Sequence, residues 1–179
     1  GQISDEQFLK GGPITINTIG QEKGRVINLG MIESPTGDVY IISKRIINNG
    51  SLIATEGHVG LAMGEEVLIK PEGPERIFIK AGETRAAGEH ITAIDNHGKI
   101  QALVSELKTN ANIYSQAIRH SGTIDATSTQ HENGRVYLVA ENSQVMDHGK
   151  INASGGSVKL DALKDVSLIG EAVVDVSHA

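Results

Sequence analysis

Apolar and polar positions along the chain recur in one nine-residue phrase: aliphatic, any, polar, any, Gly, any, Ile or Leu, any, Ala or Ser. Copies start at Val26, Ile46, Ile94, Ile118 and Val145, with anchor glycines Gly30, Gly50, Gly98, Gly122 and Gly149. Successive anchors stand 20, 48, 24 and 27 residues apart. The gap of 48 is close to two periods, so a degenerate copy is expected there, with Ile69 first, Gly73 fifth and a turn remodelled by Pro71 and Pro74. Val166, Gly170 and Ala172 give a weak copy near the end. The series then amounts to about seven periods, a signature of repeat architecture.

A second phrase follows: Gly37-Asp38-Val39-Tyr40-Ile41, Gly57-His58-Val59-Gly60-Leu61, Gly134-Arg135-Val136-Tyr137-Leu138 and Gly156-Ser157-Val158-Lys159-Leu160. Three of the four begin seven residues after their anchor, and the polar stretch Thr127 to Asn133 delays the other as a corner insertion. Within the phrases apolar residues alternate, which is the period of a strand. A short isolated strand has nothing to cover its apolar face, so each period is expected to pair in parallel with the next, ~4.8 Å away, piling its aliphatics into a continuous interior.

The anchors are expected to be Gly because a sharp corner favours positive φ. Asn28, Asn48, Asn96 and Asp147 sit two residues before their anchors, and two readings stand: a side-chain ladder between periods, or ordinary turn residues. One short turn or helix is expected at Ser4 to Lys10, with Ser4 as N-cap, Gln7 completing a capping box and Gly11-Gly12 ending it. Asp161 to Asp165 reads as a loop or a helical turn.

Composition strengthens the repeat. Hydrophobic residues make up 39% but aromatics only 3%, with no Trp, so the core must be stacked aliphatics. A net charge of −6 without a basic block leaves little to attract a phosphate backbone, and nucleic acid is not expected as a partner. The absence of Cys excludes disulfides, thiolate metal sites and a Cys nucleophile. No apolar run is long enough to cross a bilayer, and residues 1–20 lack a signal pattern. A cytosolic protein or a piece of a longer exported one is expected, and Gly1 in place of an initiator Met favours the second.

The phrases resemble those of filamentous-haemagglutinin-type passenger proteins from two-partner secretion systems. The likeness rests on Ser4-Asp5 with Phe8-Leu9 and Gly11-Gly12, on Val26-Ile27-Asn28-Leu29-Gly30, on Gly37 to Ile41, on Gly57 to Ala62 and on Gly134 to Leu138. It implies an all-β fold, a right-handed parallel β-helix, here a single-stranded solenoid over residues 1–179. It also implies a secreted or cell-surface location, an outer-membrane transporter as partner, and a structural or adhesive role toward a host or neighbouring-cell surface glycan or protein. The upstream Asn-Pro-Asn-Gly secretion signature of such proteins has no counterpart here, so an internal stretch of an exoprotein is expected.

The other class weighed is a carbohydrate-active β-helix enzyme, a polysaccharide lyase or glycosidase, which needs carboxylates converging beside a basic partner. The tight acidic groups, Glu65-Glu66, Glu72 with Glu75 and Asp161 with Asp165, all fall in expected turns or loops, so no catalytic residues are assigned. No nucleophile elbow, P-loop or dinucleotide fingerprint occurs. His97 and His148 share the fourth repeat position and His120 the third; all read as exposed turn residues, with no metal or cofactor expected. Tyr40, Tyr114 and Tyr137 are expected to point outward, Tyr114 and Tyr137 on successive periods, as a strip for glycan contact; cross-strand tyrosine pairs or cover by a neighbouring loop are the alternatives.

Overall fold

The computed structural model describes residues 5–17, 24–80, 92–110, 116–127 and 133–177. Among these residues the fold is all-β apart from one short helix, Asp5–Lys10, and most of the strands pair in parallel. Ser4, the expected cap of that helix, lies outside the described residues. Of the expected loop or helical turn Asp161 to Asp165, Asp161 and Ala162 end the strand Ser157–Ala162, and Leu163 and Lys164 form a bend.

Each phrase folds as its alternation dictates, and like positions of successive periods pair. The leading strands Val26–Asn28, Ile46–Asn48, Ile94–Asn96, Gln116–His120, Gln144–Asp147 and Val166–Leu168 form one six-stranded parallel sheet. Its register matches Val26, Ile46, Ile94, Ile118, Val145 and Val166 in turn. A nine-stranded sheet holds the remainder of each period. In it Ile32, Leu52, Ile100, Ile124, Ile151 and Val174 stack, and further along so do Val39, Val59, Ser105, Val136 and Val158. Between the two sheets most of these side chains form the main core, where Leu52, Ile94, Ile100, Ile118, Ile124 and Leu138 are wholly buried, while Ile32 and Val166 stay exposed.

The anchor glycines have a different cause from the one expected. Positive φ occurs at Gly11, Gly12, Gly73, Gly155 and Gly170, and at none of the five anchors. A Cβ at Gly50, Gly98, Gly122 or Gly149 would instead collide with the carbonyl oxygen of the anchor one period earlier. That oxygen accepts the next period's ladder bond, from Ser51 N to Gly30 O at 2.8 Å and from Lys99 N to Gly50 O at 2.9 Å. Close stacking of backbone on backbone at the corner demands the missing side chain.

The long gap is one period carrying an insertion, not two periods. Ile94–Asn96 pairs directly with Ile46–Asn48, and Lys99–Thr109 with Ser51–Met63. Ile69 belongs to Glu66–Ile69, which joins Ile14–Asn17 and Ile77–Ile79 in a three-stranded antiparallel sheet. Ile16, Val67, Ile69, Ile77 and Ile79 of this small sheet pack on Tyr40, Ile42 and Ala62, on the outer face of the nine-stranded sheet. The described residues therefore hold six periods in register.

Candidate functional site

The outer face of the nine-stranded sheet carries what the inner face excludes. Alternation sends Val59 and Leu61 into the core and His58 and Gly60 outward, and the same holds for Glu106 and Lys108 beside Leu107. Residues 71–79 fold over this face and turn its charges into a buried network. Glu106, 1% exposed, accepts hydrogen bonds from Arg76 N at 2.7 Å, Ile77 N at 3.1 Å and Lys108 Nζ at 2.9 Å. Lys108 Nζ also donates to Glu75 Oε2 at 2.6 Å and to Ile77 O at 2.9 Å, which occupies all three of its protons. Arg76 Nη1 donates to Asp38 Oδ2 at 2.6 Å; Asp38 also accepts from Tyr40 OH at 3.1 Å and from His58 N at 2.9 Å.

Burial pushes the Glu106 carboxyl upward, but the His58 imidazole, the Lys108 ammonium and the Arg76 amide outweigh it and hold the group below the usual carboxylate range. Burial, reinforced by Asp38, raises the Tyr40 phenol. His58 Nδ1 lies 3.6 Å from Glu106 Oε1, an ion-pair distance beyond hydrogen bonding, and has no hydrogen-bond partner among the described residues. Beside this network a cavity of about 370 Å³ is lined by Glu56, His58, Glu72, Arg76, Val104 and Arg135, among others.

Three carboxylates, Asp38, Glu75 and Glu106, thus converge with Arg76, Lys108 and His58, a grouping the sequence pattern scattered. The stretch Val104-Ser105-Glu106-Leu107-Lys108 breaks strict alternation at Ser105, which takes an inward place in the valine column, and so gives little sign of the strand. Only the 71–79 cover makes it a buried site. Of the acidic groups placed in turns, Glu66 and Asp161 instead stand in strands, paired with Lys80 at 2.9 Å and Lys159 at 3.5 Å.

Tyr40 and Tyr137 share an outward column. It runs Tyr40, Gly60, Glu106, Tyr137, Lys159, so the place beside Tyr137 belongs to Glu106. Tyr114 lies outside the described residues. Tyr137 is only 9% exposed, packed with Leu103, Val104 and Val139, and Lys108 Nζ stands 5.6 Å from its ring centre. Tyr40 is half-buried under the small sheet.

The histidines divide. His97 and His148 are exposed, as expected, whereas His120 is fully buried and not a surface turn residue. His120 continues the asparagine ladder, which the structure forms. Asn28 Nδ2 donates to Asn48 Oδ1 at 2.8 Å, Asn48 Nδ2 donates to Asn96 Oδ1 at 2.8 Å, and Asn96 Nδ2 meets His120 Nδ1 at 3.0 Å. Asp147 follows in register, its Oδ1 accepting from Gly149 N at 2.8 Å and its Oδ2 without a hydrogen-bond partner among the described residues. Among the described residues no group of three or more His, Cys, Asp or Glu is arranged to hold a metal ion, and no helix is long and apolar enough to cross a membrane. No protein-family model matches the chain, and no curated protein or solved structure is significantly similar to it.

Proposed function

We propose that the chain is a segment of a right-handed parallel β-helix and serves as a structural and adhesive passenger of a large secreted or cell-surface haemagglutinin-like protein. The observation that carries this reading is the parallel register in which matching letters of six successive periods meet. Such a stack is stiff along its length, because each period is bonded to the next through its whole backbone. Its corners tolerate insertions, as the small sheet illustrates, and the exposed corners and outer faces are where a surface glycan or protein would be met. In this role the Asp38, Glu75, Glu106, Arg76 and Lys108 network acts as a latch: Arg76 is paired with Asp38, and Lys108 with Glu75 and Glu106, so neither cation is free for substrate. Tyr137 serves more as cover than as a sugar platform, and Tyr40 contributes only an edge.

A carbohydrate-active enzyme is the second reading, favoured by the cavity between His58, Arg76 and Arg135. The two divide on one pair of assays with the purified chain. A passenger is retained on host cells or on a glycan array and releases no new reducing or unsaturated ends from acidic polysaccharides. Absence of retention together with release of such ends would reverse the assignment.

A further inference from the structure

One corner brings together three side chains in an order that nucleophilic catalysis uses. Pairing of Ile94 with Ile118, Asp95 with Arg119 and Asn96 with His120 sets the next residues, His97 and Ser121, side by side on adjacent periods. Ser121 Oγ lies 2.5 Å from His97 Nδ1, and His97 Nε2 lies 2.8 Å from Asp95 Oδ1. Asp95 is buried and gripped by Arg119, through Nε at 3.0 Å and Nη2 at 2.5 Å, while Ser121 and His97 face solvent.

His97 Nε2 has two neighbours, the Asp95 carboxylate at 2.8 Å and, farther off, the Arg119 Nη2 donor at 3.4 Å, and the nearer one sets the tautomer. Were Nε2 unprotonated, its lone pair would face the Asp95 carboxylate at 2.8 Å, acceptor against acceptor. The proton therefore sits on Nε2, and Nδ1 is left to accept from the Ser121 hydroxyl. Hydroxyl, imidazole and buried carboxylate then stand in the relation that raises the nucleophilicity of a serine.

We propose that Ser121 is an activated nucleophile toward small carboxylic esters, with His97 as its general base and Asp95 as the positioning residue. The Oγ attacks the ester carbonyl carbon while its proton passes to His97 Nδ1. The carbon–oxygen bond to the alcohol breaks, the alcohol departs with that proton, and an acyl-serine remains. Water, deprotonated by the same nitrogen, releases the acid and restores the hydroxyl.

The same corner limits the rate. Ser121 N and Gly122 N both donate to Asn96 O, at 2.9 and 3.1 Å, so neither amide is aimed at a developing oxyanion. Loss of such a donor costs ~10²–10³ in rate. The expected behaviour is thus acylation with slow turnover rather than efficient hydrolysis. This site shares no residue with the Glu106 network, and its test does not depend on the passenger reading.

The test is incubation of the full chain with p-nitrophenyl acetate, followed by intact-mass measurement and peptide mapping. One acetyl group per chain is expected, on Ser121, and none there in Ser121→Ala. His97→Ala, or His97→Gln should the first variant melt early, should slow acylation by ~10²-fold or more. Asp95→Asn should move the pH profile of acylation, a readout that a purely structural brace between periods would leave in place. Acetylation of Ser121 no faster than that of exposed Ser157, or an unchanged rate in the folded His97 variant, would overturn the proposal.

Discussion

Ser105 stands in a column of valines, between Val59 and Val136, and its buried hydroxyl has no hydrogen-bond partner among the described residues. An unpaired buried hydroxyl costs free energy that an apolar side chain does not. Ser105→Val should therefore raise stability by ~1 kcal/mol. Chemical denaturation reads this as a higher midpoint at unchanged slope; a lower midpoint would mean that the column has no room for the added methyl.

His120 gives the ladder a direction. Every amide above it donates toward the C-terminus, so His120 Nδ1 must accept, and a proton there would face the Asn96 NH₂ group donor against donor. Burial, chiefly, lowers its pKa; Asp147 and the contacts to Lys150 and Asn96 oppose this, and His97 adds to it. The unfolded chain then binds this proton more readily than the folded one. The contribution is intact above the ordinary histidine pKa of ~6.5 and is lost as pH falls from there toward the depressed folded value. His120→Asn, which could accept from Asn96 and donate on toward Asp147, should flatten the melting temperature between pH 7 and 5 relative to the parent chain. Equal slopes for the two proteins would remove His120 from the account.

Among the elements, the small antiparallel sheet is held to the nine-stranded one by apolar contact and by the Glu106 and Lys108 latch. Glu106→Ala leaves Lys108 with one carboxylate and two backbone amides without their acceptor. A loss of ~3–5 kcal/mol is expected from breaking such a buried pair, with amide exchange accelerated at Arg76 and Ile77 before the core opens. A loss near zero would show that apolar packing alone holds the cover.

This is also the scale at which the sequence stopped being legible. Ile100 and Ile124 were readable as core, and Asn28, Asn48 and Asn96 as a common column, because alternation and spacing are local properties of the letters. The covering sheet was not. Ile69 and Gly73 mimic the repeat at its first and fifth positions, and nothing local reveals that Glu66–Ile69 finds an antiparallel partner in Ile14–Asn17, far away in sequence. Val104-Ser105-Glu106 lacks the Gly-x-Val-Tyr signature and so hid the second strand of its own period. The anchors stand out as glycines, but a letter G does not distinguish a positive φ from a backbone packed on its neighbour.

For the whole molecule, every functional reading rests on which residues lie on which. The parallel register makes the outer columns, places Tyr137 beside Glu106 rather than a second tyrosine, and brings Ser121 to His97. It also makes the interior a single stack, so that damage in one period is transmitted through its neighbours on both sides.

Disulfide trapping tests that register most directly, in a chain free of native cysteine. Ile53 and Gln101 are separated by 48 residues yet paired in the nine-stranded sheet, while Asp125 lies one period further on. The double variant Ile53→Cys with Gln101→Cys should close under mild oxidation, the Cα separation of paired strands being within the ~4.4–6.8 Å that a disulfide spans. Ile53→Cys with Asp125→Cys should stay open. Closure of the second pair, or failure of the first in a folded protein, would contradict the stacking.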